Sequence, residues 1–238
     1  MDTGDYEQFR QWIHKAAESL QIRLEDNQVE RMYEHLAMVL PANEDFNLTR
    51  ITDPAEAAVR LVGDSLAVLP WVARRLETQH SGLGTQHCRV LDMGTGAGYP
   101  SIPLAICRPD WTVTAIDTVG KKVRFLAQAA AQLGLGNFLP EQIQAREWHG
   151  KVAPFDLVVT RALGDLSVVV REGARFLKPN GYLVSYHAEH LTPEEEKTAG
   201  RMLDRYKLHQ VDSFEYTLTS PAGAITRRLI IIAKRAPS

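Results

Sequence analysis

The fold of this chain is decided by residues Val90–Pro100, which read VLDMGTGAGYP. An apolar run ends here in an acid, Asp92, and glycines follow at every second position. This order predicts a buried strand, then a tight turn, then a helix whose first amide groups point at the turn. Glycine permits a positive φ in such a turn and lets the backbone approach a ligand without a Cβ in the way.

The spacing of Gly94, Gly96 and Gly98 favours one kind of ligand over another. A dinucleotide-binding turn has the spacing G-x-G-x-x-G and cradles a pyrophosphate. The pattern here is D-x-G-x-G-x-G, which resembles the turn of class I S-adenosylmethionine (SAM) methyltransferases. Asp92 suits SAM because a carboxylate accepts hydrogen bonds from an ammonium group, directly or through water, whereas it would repel a pyrophosphate. The alternative is a strand–helix connection that binds no ligand.

A second acid supports the ligand-binding interpretation. The apolar run Trp111–Ile116 ends in Asp117, about 20 residues after the glycines, as in doubly wound sheets. In those sheets an acid at the end of the second strand accepts hydrogen bonds from the hydroxyls of a ribose. Asp117 could instead cap the helix that follows it, and the two roles are compatible.

Composition limits the class of protein. The chain has 27 basic and 29 acidic residues, a net charge of −2, which argues against binding nucleic acid through overall basicity but leaves a basic patch possible. Cys88 and Cys107 are too few for a disulfide framework and predict reduced thiols. The acidic start is unlike a signal peptide, and no apolar run is long enough to span a membrane. We therefore expect a cytoplasmic protein.

The order of apolar and helical segments predicts an α/β fold with a mostly parallel, Rossmann-like sheet and an antiparallel C-terminal hairpin. We expect residues 1–84 to form an N-terminal helical extension and residues 85–238 to form the SAM-binding methyltransferase domain. In the extension we expect two amphipathic helices, the second ending at Pro41, and a third that starts at Pro54 and breaks near Gly63. Pro140 predicts that the third strand lies at an edge of the sheet or carries a bulge.

Several strings are narrower than the glycine turn, and together they resemble the bacterial RsmG (GidB) family. They include NLT at residues 47–49, DSL at 64–66, GKKVRFL at 120–126 and TRA at 160–162. The resemblance implies that SAM is the cofactor and that the reaction methylates N7 of a guanine in 16S rRNA. It also implies 16S rRNA or the small ribosomal subunit as the partner.

The resemblance further implies which residues contact the cofactor. By position these are Gly94, Tyr99, Glu147, Trp148 and Arg161. Trp148 could instead be a partly buried loop aromatic. Arg161 ends the predicted fourth strand, at the edge where ligands of open α/β sheets bind, so it is the candidate catalytic residue. It could bind the SAM carboxylate or an RNA phosphate, and the alternative is a surface ion pair.

Basic residues near these positions are the candidates for RNA contact, because phosphates are bound by clustered cations. They are Lys121, Lys122, Arg124, His187, Arg227 and Arg228. Such a cluster could also be only a solvated face. The family pattern has histidine, lysine and histidine where this chain has Leu61, His187 and Arg228. These departures bear on the choice of target nucleotide and not on methyl transfer itself.

Two rival functions stay open on the sequence alone. The chain could be a SAM methyltransferase for another RNA or a small molecule, or a non-catalytic SAM-binding factor of ribosome assembly. Guanine N7 has a free lone pair, so the main prediction requires positioning rather than a general base. We expect no metal and a monomer.

Overall fold

The computed structural model describes residues 3–77, 87–143, 153–161, 164–187 and 190–234. The helices are α1 (Thr3–Ser19), α2 (Asp26–Phe46), α3 (Pro54–Ala57), α4 (Asp64–Leu66), α5 (Leu69–Glu77), α6 (Ser101–Cys107), α7 (Gly120–Gln132), α8 (Leu166–Gly173) and α9 (Pro193–Arg205). The strands are β1 (Arg89–Met93), β2 (Thr112–Asp117), β3 (Phe138–Gln142), β4 (Phe155–Arg161), β5 (Leu177–His187), β6 (Leu208–Ser220) and β7 (Gly223–Lys234). A π-helical turn (Ala58–Gly63) joins α3 to α4, and a 3₁₀ turn (Ala174–Phe176) follows α8.

The described strands form one sheet in the order β3–β2–β1–β4–β5–β7–β6. Strands β1 to β5 run parallel, whereas β7 is antiparallel to both of its neighbours. The predicted mostly parallel sheet with an antiparallel C-terminal pair is therefore confirmed. The predicted edge position of Pro140 is also confirmed, since β3 ends the sheet. Because β2 lies on one side of β1 and β4 on the other, the strand order reverses there, and the carboxyl ends of these strands form the crevice that binds ligands in such sheets.

Hydrophobic side chains cover both faces of this sheet. One face packs in a single cluster with the N-terminal helices, which contribute Phe9, Ile13 and Leu36, all fully buried. The other face packs against α8 and α9. The predicted boundary near residue 84 lies outside the described residues, so the division into 1–84 and 85–238 stays a prediction. No helix in the described ranges is both long and apolar enough to cross a bilayer.

The prediction that the second helix ends at Pro41 is wrong. Helix α2 continues through Pro41 to Phe46 and ends at Asn47, whose left-handed backbone places its amide on the Asn43 carbonyl. Proline has no N–H, so the carbonyl of Ala37 lacks its helical partner. Pro41 is exposed, and water can bond to that carbonyl instead. Packing of the apolar face of α2 holds the turn after Pro41 in place.

The irregularity predicted near Gly63 is confirmed and has a packing reason. The chain makes a π-helical turn over Ala58–Gly63, and a Cβ at Gly63 would lie 2.7 Å from the Ala16 Cβ of α1. Only glycine therefore lets this turn approach α1 so closely. The predicted start at Pro54 is also confirmed, and Asp53 caps this helix, because its side chain accepts from the Glu56 amide at 2.8 Å.

Candidate active site

The glycine-rich turn leaves the carboxyl end of β1 and bends over the end of β2. Gly94, Gly96 and Gly98 have φ values of +74°, +60° and +94°, which confirms the predicted positive φ. The amides of Gly94 and Thr95 both donate to the Ile116 carbonyl, at 2.9 and 3.1 Å. A Cβ at Gly96 would meet no heavy atom within 4 Å, so the turn leaves open space there.

Gly98 serves a different purpose from Gly96. A Cβ at Gly98 would lie 2.8 Å from Ile102 Cδ1 and 2.9 Å from Leu126 Cδ2. The glycine is therefore needed for α6 and α7 to pack under the turn. Packing of the fold therefore requires a glycine at position 98, whereas no packing contact requires one at position 96.

Asp92, the penultimate residue of β1, lies beside the turn as a buried carboxylate without a partner. It is 1% exposed, and neither side-chain oxygen accepts a hydrogen bond from the described residues. Burial raises the pKa of Asp92 to about 6, and the nearby hydroxyls of Thr95 and Ser101 only partly offset this effect. Those two hydroxyls bond to each other at 2.6 Å. A buried carboxylate without a donor is costly, and a ligand that brings an ammonium or hydroxyl group would relieve that cost.

Asp117 is held in place by the backbone on both sides. Its Oδ2 accepts from the Gly96 amide at 3.1 Å and its Oδ1 accepts from the Val119 amide at 2.9 Å. The alternative that Asp117 caps α7 is wrong, because the N-cap residue is Val119. Each carboxylate oxygen retains one lone pair for a further donor, which suits a pair of ribose hydroxyls.

His35 of α2 contacts the turn from the N-terminal helices, and the sequence reasoning missed it. Its Nε2 donates to the Ala97 carbonyl at 2.9 Å, since a carbonyl can only accept. Burial lowers the pKa of His35 to about 4, so the ring is neutral. Its position on the same stripe as Met32 and Val39, both of which are buried, was the available signal.

Tyr99 packs behind the turn instead of lining open space. It is 4% exposed, and its ring centre lies 4.9 Å from that of His35. Its hydroxyl is buried without a hydrogen-bond partner among the described residues, and burial raises the pKa of Tyr99. The guanidinium of Arg161 lies 5.7 Å from the ring centre, close enough for a cation–π attraction.

Arg161 ends β4 and forms an ion pair below the surface. Its Nη1 donates to Asp64 Oδ2 at 3.2 Å and to the carbonyls of Arg60 and Leu61 at 3.2 and 3.4 Å. The side chains of Arg161 and Asp64 are only 20% and 8% exposed, so the alternative of a surface pair is wrong. The π-helical turn therefore fixes the guanidinium at the carboxyl edge of the sheet.

Asp64 is the centre of a cluster that the sequence did not reveal. Besides Arg161, its Oδ1 accepts from the Tyr216 hydroxyl at 2.6 Å, and the Nε of Arg227 lies 3.9 Å from the same oxygen. The neighbouring Tyr186 hydroxyl donates to the Ser65 carbonyl at 2.9 Å. Strand β4 and the β6–β7 hairpin thus fix one carboxylate, and that carboxylate orients Arg161.

A cleft of about 480 Å³ opens above this cluster. Its lining residues are Ile51, Arg60, Leu61, Asp64, Arg161, Gly164, Ser185, Tyr186, His187 and Arg227. Arg60 is paired with Glu56, whereas Arg161 and Arg227 share the single carboxylate of Asp64. The cleft therefore keeps an excess of positive charge and favours an anionic ligand. His187 shares a 2.8 Å hydrogen bond with the Ser185 hydroxyl, and burial lowers its pKa, so it supplies a neutral ring and not a cation at neutral pH.

The remaining RNA candidates are separated by the structure. Lys121 donates to the Asp45 carbonyl at 3.1 Å and lies over the Phe46 ring, whereas Arg124 is exposed and Lys122 half-buried. Arg227 and Arg228 alternate along β7 and face opposite sides of the sheet. Arg227 lines the cleft, while Arg228 lines a groove beside α9 and has a buried Nε without a partner in the described ranges. Glu147 and Trp148 lie outside the described residues.

The sheet and the cofactor corner, which consists of Asp92, Asp117 and the turn at residues 94–98, define the class of protein, a SAM-dependent methyltransferase. The unpaired Asp92 carboxylate, the spare lone pairs of Asp117 and the open space at Gly96 fit the amino and ribose groups of SAM. Among solved structures, a SAM-dependent methyltransferase from Methanosarcina mazei is similar, with a TM-score of 0.52 and 20% identity over 65% of this chain and 95% of that one. A putative RNA methyltransferase from Pyrococcus horikoshii has a TM-score of 0.53 and 15% identity over 73% of this chain and 84% of that one. At these identities the similarity shows the fold alone.

Sequence similarity names the particular family. The family model for GidB, described as rRNA small subunit methyltransferase G, matches residues 28–218. A ribosomal RNA small subunit methyltransferase G from Thermosynechococcus vestitus is 35% identical over 92% of this chain and 92% of its own length. Another, from Microcystis aeruginosa, is 32% identical over 92% of this chain and 95% of its own. The chain belongs to the GidB family, and SAM is its cofactor.

Proposed function

We propose that the enzyme transfers the methyl group of SAM to N7 of a guanine in 16S rRNA. The single observation that carries the proposal is the buried, unpartnered Asp92 carboxylate beside the open glycine turn, in a chain of the GidB family. The relatives' printed names specify small-subunit ribosomal RNA, and the arginine-lined cleft next to the corner suits an RNA strand.

The residues of the corner divide the work of cofactor binding. Asp92 accepts from the amino group, Asp117 accepts from the ribose hydroxyls, and the bare backbone at Gly94 and Gly96 lets the ligand lie against the turn. Tyr99 packs behind the turn, on the side away from the ligand. When bound, SAM supplies an electrophilic methyl group on a sulfonium.

The rest of the chemistry is positioning by the protein. Guanine N7 is a poor proton acceptor at neutral pH and keeps its lone pair, so no side chain has to remove a proton. Arg161, fixed by Asp64, binds a phosphate or the cofactor carboxylate at the edge where the two substrates meet. Holding nucleophile and methyl group in line at near-attack distance supplies the rate enhancement.

Lys122 and Arg124, near the start of α7 and outside the cleft, form a second candidate surface for RNA phosphates. We expect Lys122→Glu with Arg124→Glu to weaken RNA binding and to flatten its dependence on salt, by about one unit of slope for each phosphate that is no longer bound. The Kd for SAM should not change. Lys197→Glu with Arg201→Glu, at two exposed positions on α9, is the matched charge control and should leave RNA affinity as it was.

We also propose that the enzyme is a cytoplasmic monomer that needs no metal. The free thiols of Cys88 and Cys107 suit a reducing compartment. In the described part of the chain, Val119 and Leu139 are the exposed large hydrophobic side chains, which is little apolar surface for a permanent interface. N7 attack needs no Lewis acid. Light scattering tests the oligomeric state and should give the mass of one chain. Methyl transfer measured with a chelator tests the need for a metal and should be unchanged.

The decisive experiment uses small ribosomal subunits that lack the modification, with SAM carrying a tritiated methyl group. We expect label in 16S rRNA at one guanine, detected by reduction and amine-induced strand cleavage at N7-methylguanine. An RNA with 7-deazaguanine at that position lacks the nucleophile and should take no label. Label in the deaza RNA, or at another atom, would refute the proposal. Salt-insensitive transfer to free metabolites would favour the small-molecule rival, and SAM binding without transfer would favour an assembly factor.

A further inference from the structure

Helix α2 contacts both ends of α7, and between these two contacts it meets the glycine turn. Arg31 donates to the Leu133 carbonyl after α7, at 2.6 Å from Nη2. Lys121 at the start of α7 donates back to the Asp45 carbonyl of α2. Between these two points His35 reaches past α7 to the glycine turn. The helix therefore lies along α7 and braces the corner that α7 and the turn share.

His35 fixes one particular peptide group of the turn. The peptide between Ala97 and Gly98 has its carbonyl bonded to His35 Nε2 at 2.9 Å and its amide bonded to the Thr95 carbonyl at 2.9 Å. The preceding residue, Gly96, has its amide bonded to Asp117. Gly98, on one side of this peptide, tolerates a wide range of φ and would otherwise let the peptide plane rotate at little steric cost, so its orientation depends on these bonds.

Stability alone does not explain a histidine at this position. Its Nδ1 is buried and has no hydrogen-bond partner in the described part of the chain. A buried unsatisfied nitrogen lowers stability by itself, and an apolar side chain of similar volume would avoid that loss. The bond from Nε2 to Ala97 is the feature that an apolar replacement would remove.

We infer that His35 is a positioning residue for SAM, which presets the glycine turn through the Ala97 carbonyl without touching the cofactor. The inference rests on SAM binding at this turn. The N-terminal helices thereby contribute to cofactor affinity in addition to packing against the sheet. A neutral donor at residue 35 is what the mechanism requires, and the rest of the imidazole is dispensable.

The test compares three variants of the full chain by calorimetric titration with SAM. His35→Leu removes the donor, and we expect its Kd to rise roughly fivefold to tenfold, the effect of one lost buried hydrogen bond. His35→Gln keeps an N–H donor that can reach the same carbonyl, and we expect it to restore most of the affinity. Val39→Ala on the same helix opens the buried core, and we expect a lower Tm with the Kd for SAM unchanged.

Kinetics add a readout that a purely structural role would not move. For His35→Leu we expect a higher KM for SAM, with kcat at saturating SAM and the KM for RNA unchanged. Equal SAM affinity of His35→Leu and the wild type would overturn the inference alone. An equal loss of SAM affinity in Val39→Ala would also overturn the inference, because a general loss of stability would then explain the weaker binding. A wild-type chain that bound no SAM would overturn both the inference and the proposed function.

Discussion

Replacing Asp92 with asparagine should make the cofactor-free protein more stable while weakening SAM binding. The carboxylate is buried and unpartnered, and its burial raises the pKa of Asp92 from 3.8 to about 6. The native state therefore binds this proton more tightly than the unfolded state does. As pH rises from about 4 to about 6, native wild-type protein loses stability, because it must hold a charge that water would solvate better.

The size of the effect follows from the shift. Two pKa units correspond to about 3 kcal/mol of unfolding free energy. Asp92→Asn has no charge to bury, so its advantage over the wild type should be near zero at about pH 4 and reach about 2 to 3 kcal/mol above about pH 6. SAM affinity should fall roughly tenfold to hundredfold, the range for one charge-assisted hydrogen bond.

Urea unfolding of SAM-free protein across this pH range measures the first effect, and calorimetric titration with SAM measures the second. Asp117→Asn is the contrasting variant, because the Asp117 carboxylate accepts two backbone amides and an amide side chain has only one acceptor oxygen. It should lose stability at every pH. If Asp92→Asn were destabilised equally at all pH values, the carboxylate would have to be satisfied in the free protein, and the reasoning would fail.

The other expected outcomes concern the turn and the Asp64 cluster. Gly96→Val should abolish SAM binding in titrations and lower the unfolding free energy by about 1 to 2 kcal/mol, because valine is strained at a positive φ. Gly134→Val is the control, since Gly134 has a similar φ (+63° against +60°) and equally open surroundings; it should lose as much stability and keep its SAM affinity. Loss of binding in both variants would contradict a local role of Gly96. Arg161→Lys should lower turnover on RNA about tenfold or more. In the wild type Nη1 alone contacts Asp64 and two carbonyls, which leaves the rest of the guanidinium for a ligand, whereas lysine has one nitrogen for both tasks. Equal rates at saturating SAM and RNA would count against it. Tyr216→Phe removes the 2.6 Å bond to Asp64 and should cost about 1 to 3 kcal/mol in urea unfolding, with turnover reduced and the KM for SAM unchanged; unaltered turnover would show that Arg161 does not depend on this cluster.

Much of the cofactor corner was predictable because its signals are local. The apolar run, the acid and the alternating glycines specify strand, turn and helix within residues 90–100, and the positive φ angles bear this out. The position of Asp117 beside the glycine turn was predictable from the fold class, because parallel strands place their carboxyl ends at one edge of a sheet. The error at Pro41 has the opposite origin, since tertiary packing carried α2 beyond a local breaker.

The second half of the site depends on contacts that no local pattern encodes. Asp64 meets Tyr216 across 152 residues of chain and Arg161 across 97, and His35 meets Ala97 across 62. These pairs form only once the strand order and the packing of the N-terminal helices are set.

The sequence by itself determined the class of fold, the glycine turn and the two acids that border it, because periodicity and backbone preference act over a few residues. Only the tertiary structure decided which carboxylate stays unpaired, which arginine is held at the cleft and which helix braces the turn. The physical reason is that burial and charge pairing are properties of neighbours in space, and the sheet brings those neighbours together from opposite ends of the chain.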